Sequence, residues 1–293
     1  MADIVVLYHA SCTDGAGSMW SAWKFFKDGA KYIAVGKFSK KQSKMLNQCK
    51  KAKEVYMCDM MLDMENIEML AKRGITVWLL DHHISNINEI AAYPFSDEAK
   101  DNIKDFCDIS RSGAGITWDH FHGGSRPVCI DYIEDSDLWK WELPNGHSVH
   151  TFFSQFNWKS NNYIIERFNE IEQLSSSELI AKGDSLIEYR DKLIDRSLSQ
   201  VCRAEIFGHN VPILNSNYFL SETANIMAVD EPFAAIWRQS KEGDIRMILR
   251  SEQNGLDVQL LAGKLGEKGG GHYHAAGIVF RSYSDMLKQV KFL

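Results

Sequence analysis

"VWLLDHHIS", residues 77–85, decides how the rest of the chain is read. Four apolar residues, Val77 to Leu80, run directly into Asp81, His82 and His83. An apolar run without alternation is a strand buried on both faces, as in a parallel sheet, and it ends where the chain meets solvent. Three titratable groups at that end admit two readings. Charge appears wherever strands surface. Alternatively, the carboxyl ends of parallel strands are where open α/β sheets bind ligands, and an Asp beside two imidazoles begins a divalent-metal site. The tripeptide alone does not choose between them.

Outward from this stretch, strands and helices alternate. "DIVVLYHA" (3–10), "KYIAVG" (31–36), "EVYMCDMML" (54–62) and "ITVWLLD" (75–81) read as strands one to four. After strand one comes a turn with Gly15 and Gly17, then a helix, "GSMWSAWKFFKDG" (17–29), with apolar residues three and four apart. "SKKQSKMLNQCKKA" (39–52) reads as an exposed lysine-rich helix, and "ENIEMLAKRG" (65–74) as a helix closed by Gly74. This alternation predicts a parallel sheet with crossover helices. "SGAGITWDHFHGG" (112–124) is a further helix. The chain turns helical and polar from about 150 to 200, and β-like after 203, as in "RAEIFGHNVPILN" and "DIRMILRS". The fold class predicted is α/β: a parallel-sheet domain over 1–155, a helical linker over 156–202, and a smaller mixed α/β domain over 203–293.

Bulk composition narrows the function. With 293 residues, 45% hydrophobic and 25% charged, the chain can bury an ordinary globular core. A formal net charge of −6 argues against a protein that coats long duplex nucleic acid, which needs a basic face. It leaves room for a short nucleotide chain in a pocket, and it fits carboxylates that hold cations. Six scattered cysteines without a CxxC pair, no basic signal region and no long apolar span predict a cytoplasmic protein with free thiols and no membrane partner.

The titratable residues then fall into a pattern. His9 and Asp14 sit at and just after the end of strand one, Asp59 ends the apolar part of strand three, and Asp81, His82 and His83 end strand four. Asp135 and Asp137 follow the apolar-rich run "VCIDYIE" (128–134). In a parallel sheet such ends lie on one edge. A mixed oxygen and nitrogen donor set without a thiolate pair suits Mn²⁺ or Mg²⁺, with Fe, Co or Zn as alternatives. This many carboxylates exceeds the need of one ion. Two ions about 3.5–4 Å apart, sharing a carboxylate, would use them and could clamp a phosphoryl centre.

In order, "HASCTDGAGS", "CDMML", "LLDHH", "EDSDLW" and "GGGHYHAAG" resemble the motifs of the DHH phosphoesterase superfamily, which includes RecJ-type exonucleases, nano-RNases and family II pyrophosphatases. "YHASCTDG", "SGAGITW" and "DSDLW" look most like the nano-RNase B or cyclic-nucleotide phosphodiesterase-like branch. The C-terminal glycines with "AAG" resemble the DHH-associated domain. The resemblance spans nearly the whole chain and is thinnest in the helical middle. It implies that His9, Asp14, Asp59, His82 and Asp135 are metal ligands, with Asp59 the bridge. It further implies that Asp81 orients His82 and that His83 faces the scissile phosphate. Gly269, Gly270, Gly271 and His272 map to substrate contacts, with Arg250 a plausible addition. One departure stands out. Where relatives often carry two aspartates two residues apart, this chain has Cys12 and Asp14. The interval from His9 to Asp14 is also one residue shorter than usual.

The activity this implies is hydrolysis of a short oligonucleotide, a nucleotide 3′,5′-bisphosphate or a cyclic nucleotide, using Mn²⁺, with Mg²⁺ or Co²⁺ as substitutes; a homodimer is compatible with it. Two rivals remain. A pyrophosphatase or exopolyphosphatase need recognise no base, and a regulatory protein could bind nucleotides without turnover. Bland readings also stand beside the site residues. "GGGH" could be a tight loop, since glycine excess usually reflects backbone conformation, or it could offer amides to anionic oxygens. Arg250 could be a strand-end charge or a phosphate clamp. Trp139 and Trp141 read as packing rather than as a base-stacking surface.

Overall fold

Strands and helices alternate as expected as far as the fourth strand, and two short helices and a fifth strand, which the sequence reading did not include, follow it. The computed structural model describes residues 3–36, 42–265 and 268–293. Along the chain run β1 (Ile4–His9), α1 (Thr13–Phe26), β2 (Ala30–Val35), α2 (Gln42–Cys49), β3 (Glu54–Cys58), α3 (Met64–Ala71), β4 (Thr76–Leu80), α4 (Ile84–Ala92), α5 (Asp97–Lys100) and β5 (Ile103–Asp105). The five strands form one parallel sheet in the order β2-β1-β3-β4-β5. Alternate residues feed two cores. Val6, Tyr8, Tyr56, Cys58 and Leu80 enter one. Val5, Leu7, Val55, Met57, Val77 and Leu79 enter the other. Burial on both faces is why these strands show no polar alternation. Strand order reverses between β1 and β3, the kind of crevice where open α/β sheets receive ligands.

Four helices follow: α6 (Gly113–Phe121), α7 (Val128–Asp137), α8 (Gly146–Ser154) and α9 (Asn161–Ile171). They pack Ala114, Ile130, Ile133, Phe153 and Phe168 into the first core, where Trp20 of α1 stacks between Trp118 (5.6 Å) and Phe168 (5.3 Å). The long α10 (Ser176–Leu198) comes next. The chain forms two compact units, Met1–Ile187 and Glu188–Leu293, and their boundary falls inside α10. Residues expected to be a linker therefore divide between the units. Ile164, Phe168, Ile171 and Leu179 belong to the first core, whereas Leu198 and Val201 pack on a core of the second unit.

The second unit contains β6 (Cys202–Ile206), β7 (His209–Asn215), α11 (Leu220–Met227), β8 (Ala234–Gln239), β9 (Ile245–Arg250), α12 (Val258–Leu265), β10 (Lys268–His272), β11 (Ala275–Phe280), α13 (Tyr283–Met286) and β12 (Val290–Phe292). Its seven strands form a mixed sheet, β10-β11-β9-β8-β7-β6-β12, antiparallel except for β7 with β8. No helix among the described residues is long and apolar enough to cross a membrane.

Three local expectations need correction. Gly15 and Gly17 lie inside α1, which begins at Thr13. A Cβ at Gly15 would stand 2.1 Å from the His9 carbonyl oxygen, so the residue lets the helix leave β1 at once. "VCIDYIE" belongs to a helix rather than leading out of the sheet: Cys129, Ile130, Tyr132 and Ile133 are buried with helical spacing. "GGGH" is the edge strand β10 and not a loop. Gly269 answers to packing, since a Cβ there would meet the Ala262 oxygen of α12 at 2.0 Å. One at Gly271 (φ +153) would meet the Ala275 oxygen of β11 at 2.2 Å. Residues 39–41 of the expected lysine-rich helix lie outside the described residues.

Candidate metal centre

Three adjacent strands, β1, β3 and β4, end at one edge and deliver His9, Asp59 and Asp81 there. Asp59 is buried and takes a left-handed backbone (φ 58), its amide bonded to the Leu80 oxygen at 2.9 Å. That conformation costs a non-glycine residue about 1 kcal/mol, a strain that persists where surroundings impose it. It aims the two carboxylate oxygens in different directions. Oδ2 lies 3.3 Å from His9 Nδ1 and 3.4 Å from Cys12 Sγ. Oδ1 lies 3.3 Å from His82 Nε2.

Around the second oxygen the groups crowd. His82 Nε2 is 3.5 Å from Asp14 Oδ2, 3.5 Å from Asp137 Oδ2 and 3.3 Å from Asp59 Oδ1. A single N–H cannot serve three carboxylates, and all three separations exceed a good hydrogen bond. They are close to the spacing of about 3 Å between neighbouring donors on a divalent ion with bonds near 2.1 Å. Donor atoms of Asp14, His82 and Asp137 lie within 4.8 Å of one another, as do those of His9, Cys12 and Asp59. The residues present therefore fit two hard or borderline cations sharing Asp59.

Backbone and charge hold this arrangement. Asp14, in the first turn of α1, accepts from the amides of Gly113 (2.7 Å) and Ala114 (2.8 Å), at the amino end of α6. Helix amino ends suit anions through their unpaired N–H groups and dipole. Gly113 permits the approach, because a Cβ there would sit 2.5 Å from Asp59 Cβ and 2.9 Å from Asp14 Oδ2. Cys12 caps α1 by accepting from the Gly15 amide at 3.1 Å. Burial and the charges of Asp59 and Asp137 push Asp14 well above the usual carboxylate range. Burial opposes charge on Asp59 too, but hydrogen bonds from His82 and His9 hold its carboxyl well below that range. His82 loses solvation, yet Asp59, Asp137 and Asp14 raise it to about 10.

Those shifts set a pH dependence. Without metal, His82 keeps its proton well past its ordinary pKa of 6.5. The stabilisation this gives the fold is complete below about 6.5 and is lost as pH rises through about 10. An ion must displace that proton. Calorimetric titration with Mg²⁺ at pH 6.5, 7.5 and 8.5 should show affinity rising roughly tenfold per pH unit for one displaced proton; a flat series would contradict the assignment.

Two sequence-based placements differ from the geometry. Asp135 is not at the cluster. Its Oδ1 accepts from the amides of Glu142 (2.7 Å) and Leu143 (3.3 Å), clamping the loop after α7, while Asp137 takes the place beside His82 with 32% of its side chain exposed. On a helix, residues two apart face away from each other. Asp81 holds the ring of His83 (Oδ1 to Nδ1, 2.7 Å) and meets His82 through its main-chain amide (2.8 Å). Its Oδ2 takes Asn86 Nδ2 at 2.5 Å. Asp137→Asn should therefore weaken Mn²⁺ binding at least tenfold, whereas Asp135→Asn should mainly lower stability, by about 1–3 kcal/mol. Paired metal titrations and thermal melts check this; the reverse pattern would restore Asp135 as the ligand.

Sequence reasoning missed the amides of Gly113 and Ala114, the Asn86 contact, and Glu134, which accepts from the Ser112 amide at 3.0 Å and binds Arg126 Nη1 at 2.8 Å. A signal existed for the first: Ser112 followed by Gly-Ala-Gly is a capped helix start small enough to meet another segment. In the second unit, Arg250 ends β9 and bonds Ser221 Oγ at 2.8 Å. Arg250 and His272 both register with Ala275 of the intervening β11, so they share one end of the sheet.

No protein-family profile matches the chain. It is 29% identical over 302 residues to the uncharacterized protein R106 of Acanthamoeba polyphaga mimivirus, covering 97% of this chain and 69% of that one. Among solved structures it is similar to PggH, a pGpG-specific phosphodiesterase from Vibrio cholerae (13% identity, TM-score 0.48, 97% of this chain and 95% of that one). It is also similar to CDC45 from Entamoeba histolytica (8% identity, TM-score 0.48, 98% and 93%). RecJ from Thermus thermophilus, solved with Mn²⁺, is a third (12% identity, TM-score 0.46); 94% of this chain aligns, spanning 49% of that one.

Proposed function

We propose that the chain is a metal-dependent phosphodiesterase of the DHH type, acting on short oligonucleotides or small nucleotides. The observation that carries this reading is Asp59, whose two oxygens face two different donor sets. His9, Cys12 and Asp59 would hold one ion, and Asp14, Asp59, His82 and Asp137 the other. Mn²⁺ suits the carboxylate and imidazole donors, with Mg²⁺ or Co²⁺ as substitutes, and Cys12 is the one soft donor beside them. Cations held there supply electrophilic polarisation of a phosphoryl oxygen and a lowered pKa for the attacking water.

The chain's own residues do the rest. Asp81, which the His83 charge holds ionised below its usual range despite burial, fixes the His83 ring through Nδ1. In its protonated form that ring donates from Nε2 to a non-bridging phosphoryl oxygen, offsetting charge that develops in the transition state. The Gly113 and Ala114 amides keep Asp14 from swinging away. Arg250 and His272, at one end of the second unit's sheet, are proposed as substrate contacts that set KM more than kcat. Gly269 and Gly271 also have a packing reason to be glycine, and with Gly270 they are proposed as substrate contacts beside Arg250 and His272. The acidic chain favours short substrates over polymers.

The test is a turnover panel with Mn²⁺: the dinucleotide pApA, cAMP and inorganic pyrophosphate. The reading expects pApA to be hydrolysed fastest. Preference for pyrophosphate would make the chain a pyrophosphatase. No turnover of any of the three, with nucleotide bound, would make it a binding protein whose Cys12 replaced a needed aspartate.

A further inference from the structure

Immediately after Asp137 the chain makes a costly loop. Trp139 (φ 53), Trp141 (φ 54) and Asn145 (φ 53) all adopt the left-handed backbone within seven residues. Bulky side chains are outliers there. Glycine or asparagine would take the same path with less strain. Asp135 holds the loop in place through the Glu142 and Leu143 amides.

Core packing does not account for the two indoles. The other six tryptophans, Trp20, Trp23, Trp78, Trp118, Trp158 and Trp237, lie in or pack on the hydrophobic cores, and Trp139 and Trp141 do neither. Trp141 stacks on the His147 ring (3.9 Å, 19°), and Trp139 stands edge-on to Trp141 (5.1 Å, 80°). The Trp139 ring is part-exposed and is stacked on no other ring among the described residues. Strain of this kind persists where surroundings impose it, and it gathers at ligand-binding sites.

We infer that Trp139 is a nucleobase platform: its indole stacks on the base of the substrate whose phosphate lies at the Asp59 centre, with Trp141 and His147 bracing it from behind. The inference rests on the proposed function for the phosphate's position and extends it to how a nucleotide is told from a bare phosphate. A flat, sequence-tolerant aromatic surface suits any base. The placement follows from the chain, since Trp139 is two residues beyond Asp137, whose carboxylate sits 3.5 Å from His82 Nε2.

Strain and stacking make opposite demands, and that separates this role from packing. Binding of pApA and of inorganic pyrophosphate is measured by calorimetry with Ca²⁺ in place of Mn²⁺, on wild type, Trp139→Ala, Trp139→Phe and Trp139→Gly, with thermal melts alongside. Trp139→Ala should weaken pApA binding about tenfold or more and leave pyrophosphate unchanged, while Trp139→Phe keeps most of the affinity. Trp139→Gly should lose pApA affinity equally and melt at or above the wild-type temperature, because the strained backbone is relieved. Unchanged pApA binding in Trp139→Ala, equal weakening of pyrophosphate, a sharply lower melt for Trp139→Gly, or no pApA binding by wild type would each overturn the platform. A wild type that binds pApA through Trp139 but hydrolyses nothing would sink the enzymatic reading and leave this one standing. Hydrolysis of pApA that ignores Trp139 would do the opposite.

Discussion

Asp59→Asn is expected to retain less than about a tenth of wild-type turnover and to lose the rise in melting temperature that Mn²⁺ gives. Each oxygen of Asp59 faces a separate donor set, so one side chain serves both halves of the centre. An amide offers one acceptor oxygen and an NH2 group that can only donate, and it carries no charge to neutralise a cation. Its NH2 would face either the His9–Cys12 side or the His82 side, so one set loses its shared ligand whichever way the amide turns. The metal-free melt should change far less than the metal-dependent increment, which separates a ligand defect from a folding defect. A variant with substantial activity would mean that the two donor sets work independently.

Gly113→Ala is the second large effect. The added methyl would stand 2.5 Å from Asp59 Cβ and 2.9 Å from Asp59 Cα, backbone-linked atoms that cannot swing aside. Either α6 retreats and Asp14 loses the amides at 2.7 and 2.8 Å, or Asp59 moves. Leaving a buried carboxylate without such bonds costs about 1–3 kcal/mol, before any clash is counted. Mn²⁺ affinity should fall at least tenfold and the melting temperature should drop. Gly263→Ala is the control: its Cβ would enter open space in α12, where alanine favours helix, so stability should hold or rise. Equal behaviour of the two variants in melts and Mn²⁺ titrations would contradict the close packing of α6 on the site.

These two residues also mark the limit of what the sequence discloses. β1, β3 and β4 were legible because burial on both faces writes a strand as an unbroken apolar run, and each run stops where a titratable residue begins. His9, Asp14, Asp59 and His82 were therefore readable as one cluster. The conformation of Asp59 was not, since "CDMML" contains no glycine to announce a left-handed residue. The choice between Asp135 and Asp137 turned on helix phase. Ile130 and Ile133 of α7 face α1, their Cδ1 atoms 3.6 and 3.1 Å from where a Gly17 Cβ would be. Asp137 lies one turn beyond Ile133 on that stripe, while Asp135 points elsewhere. Reading "VCIDYIEDSD" by its three-and-four spacing would have selected Asp137. "GGGH" was legible as glycine-rich but not as a strand. Its glycines admitted a tight loop or an anion contact, and close packing by α12 and β11 gives Gly269 and Gly271 a further reason within a strand.

The proposed site turns on a pair of cations joined by one carboxylate. Electron paramagnetic resonance of the wild-type protein titrated with Mn²⁺ tests it most directly, with bound metal counted in the same samples. Two Mn²⁺ per chain with an exchange-coupled spectrum, reduced to uncoupled or single-ion signals in Asp59→Asn, is the predicted result. A single isolated Mn²⁺ at saturation, or a coupled pair that survives Asp59→Asn, would contradict it.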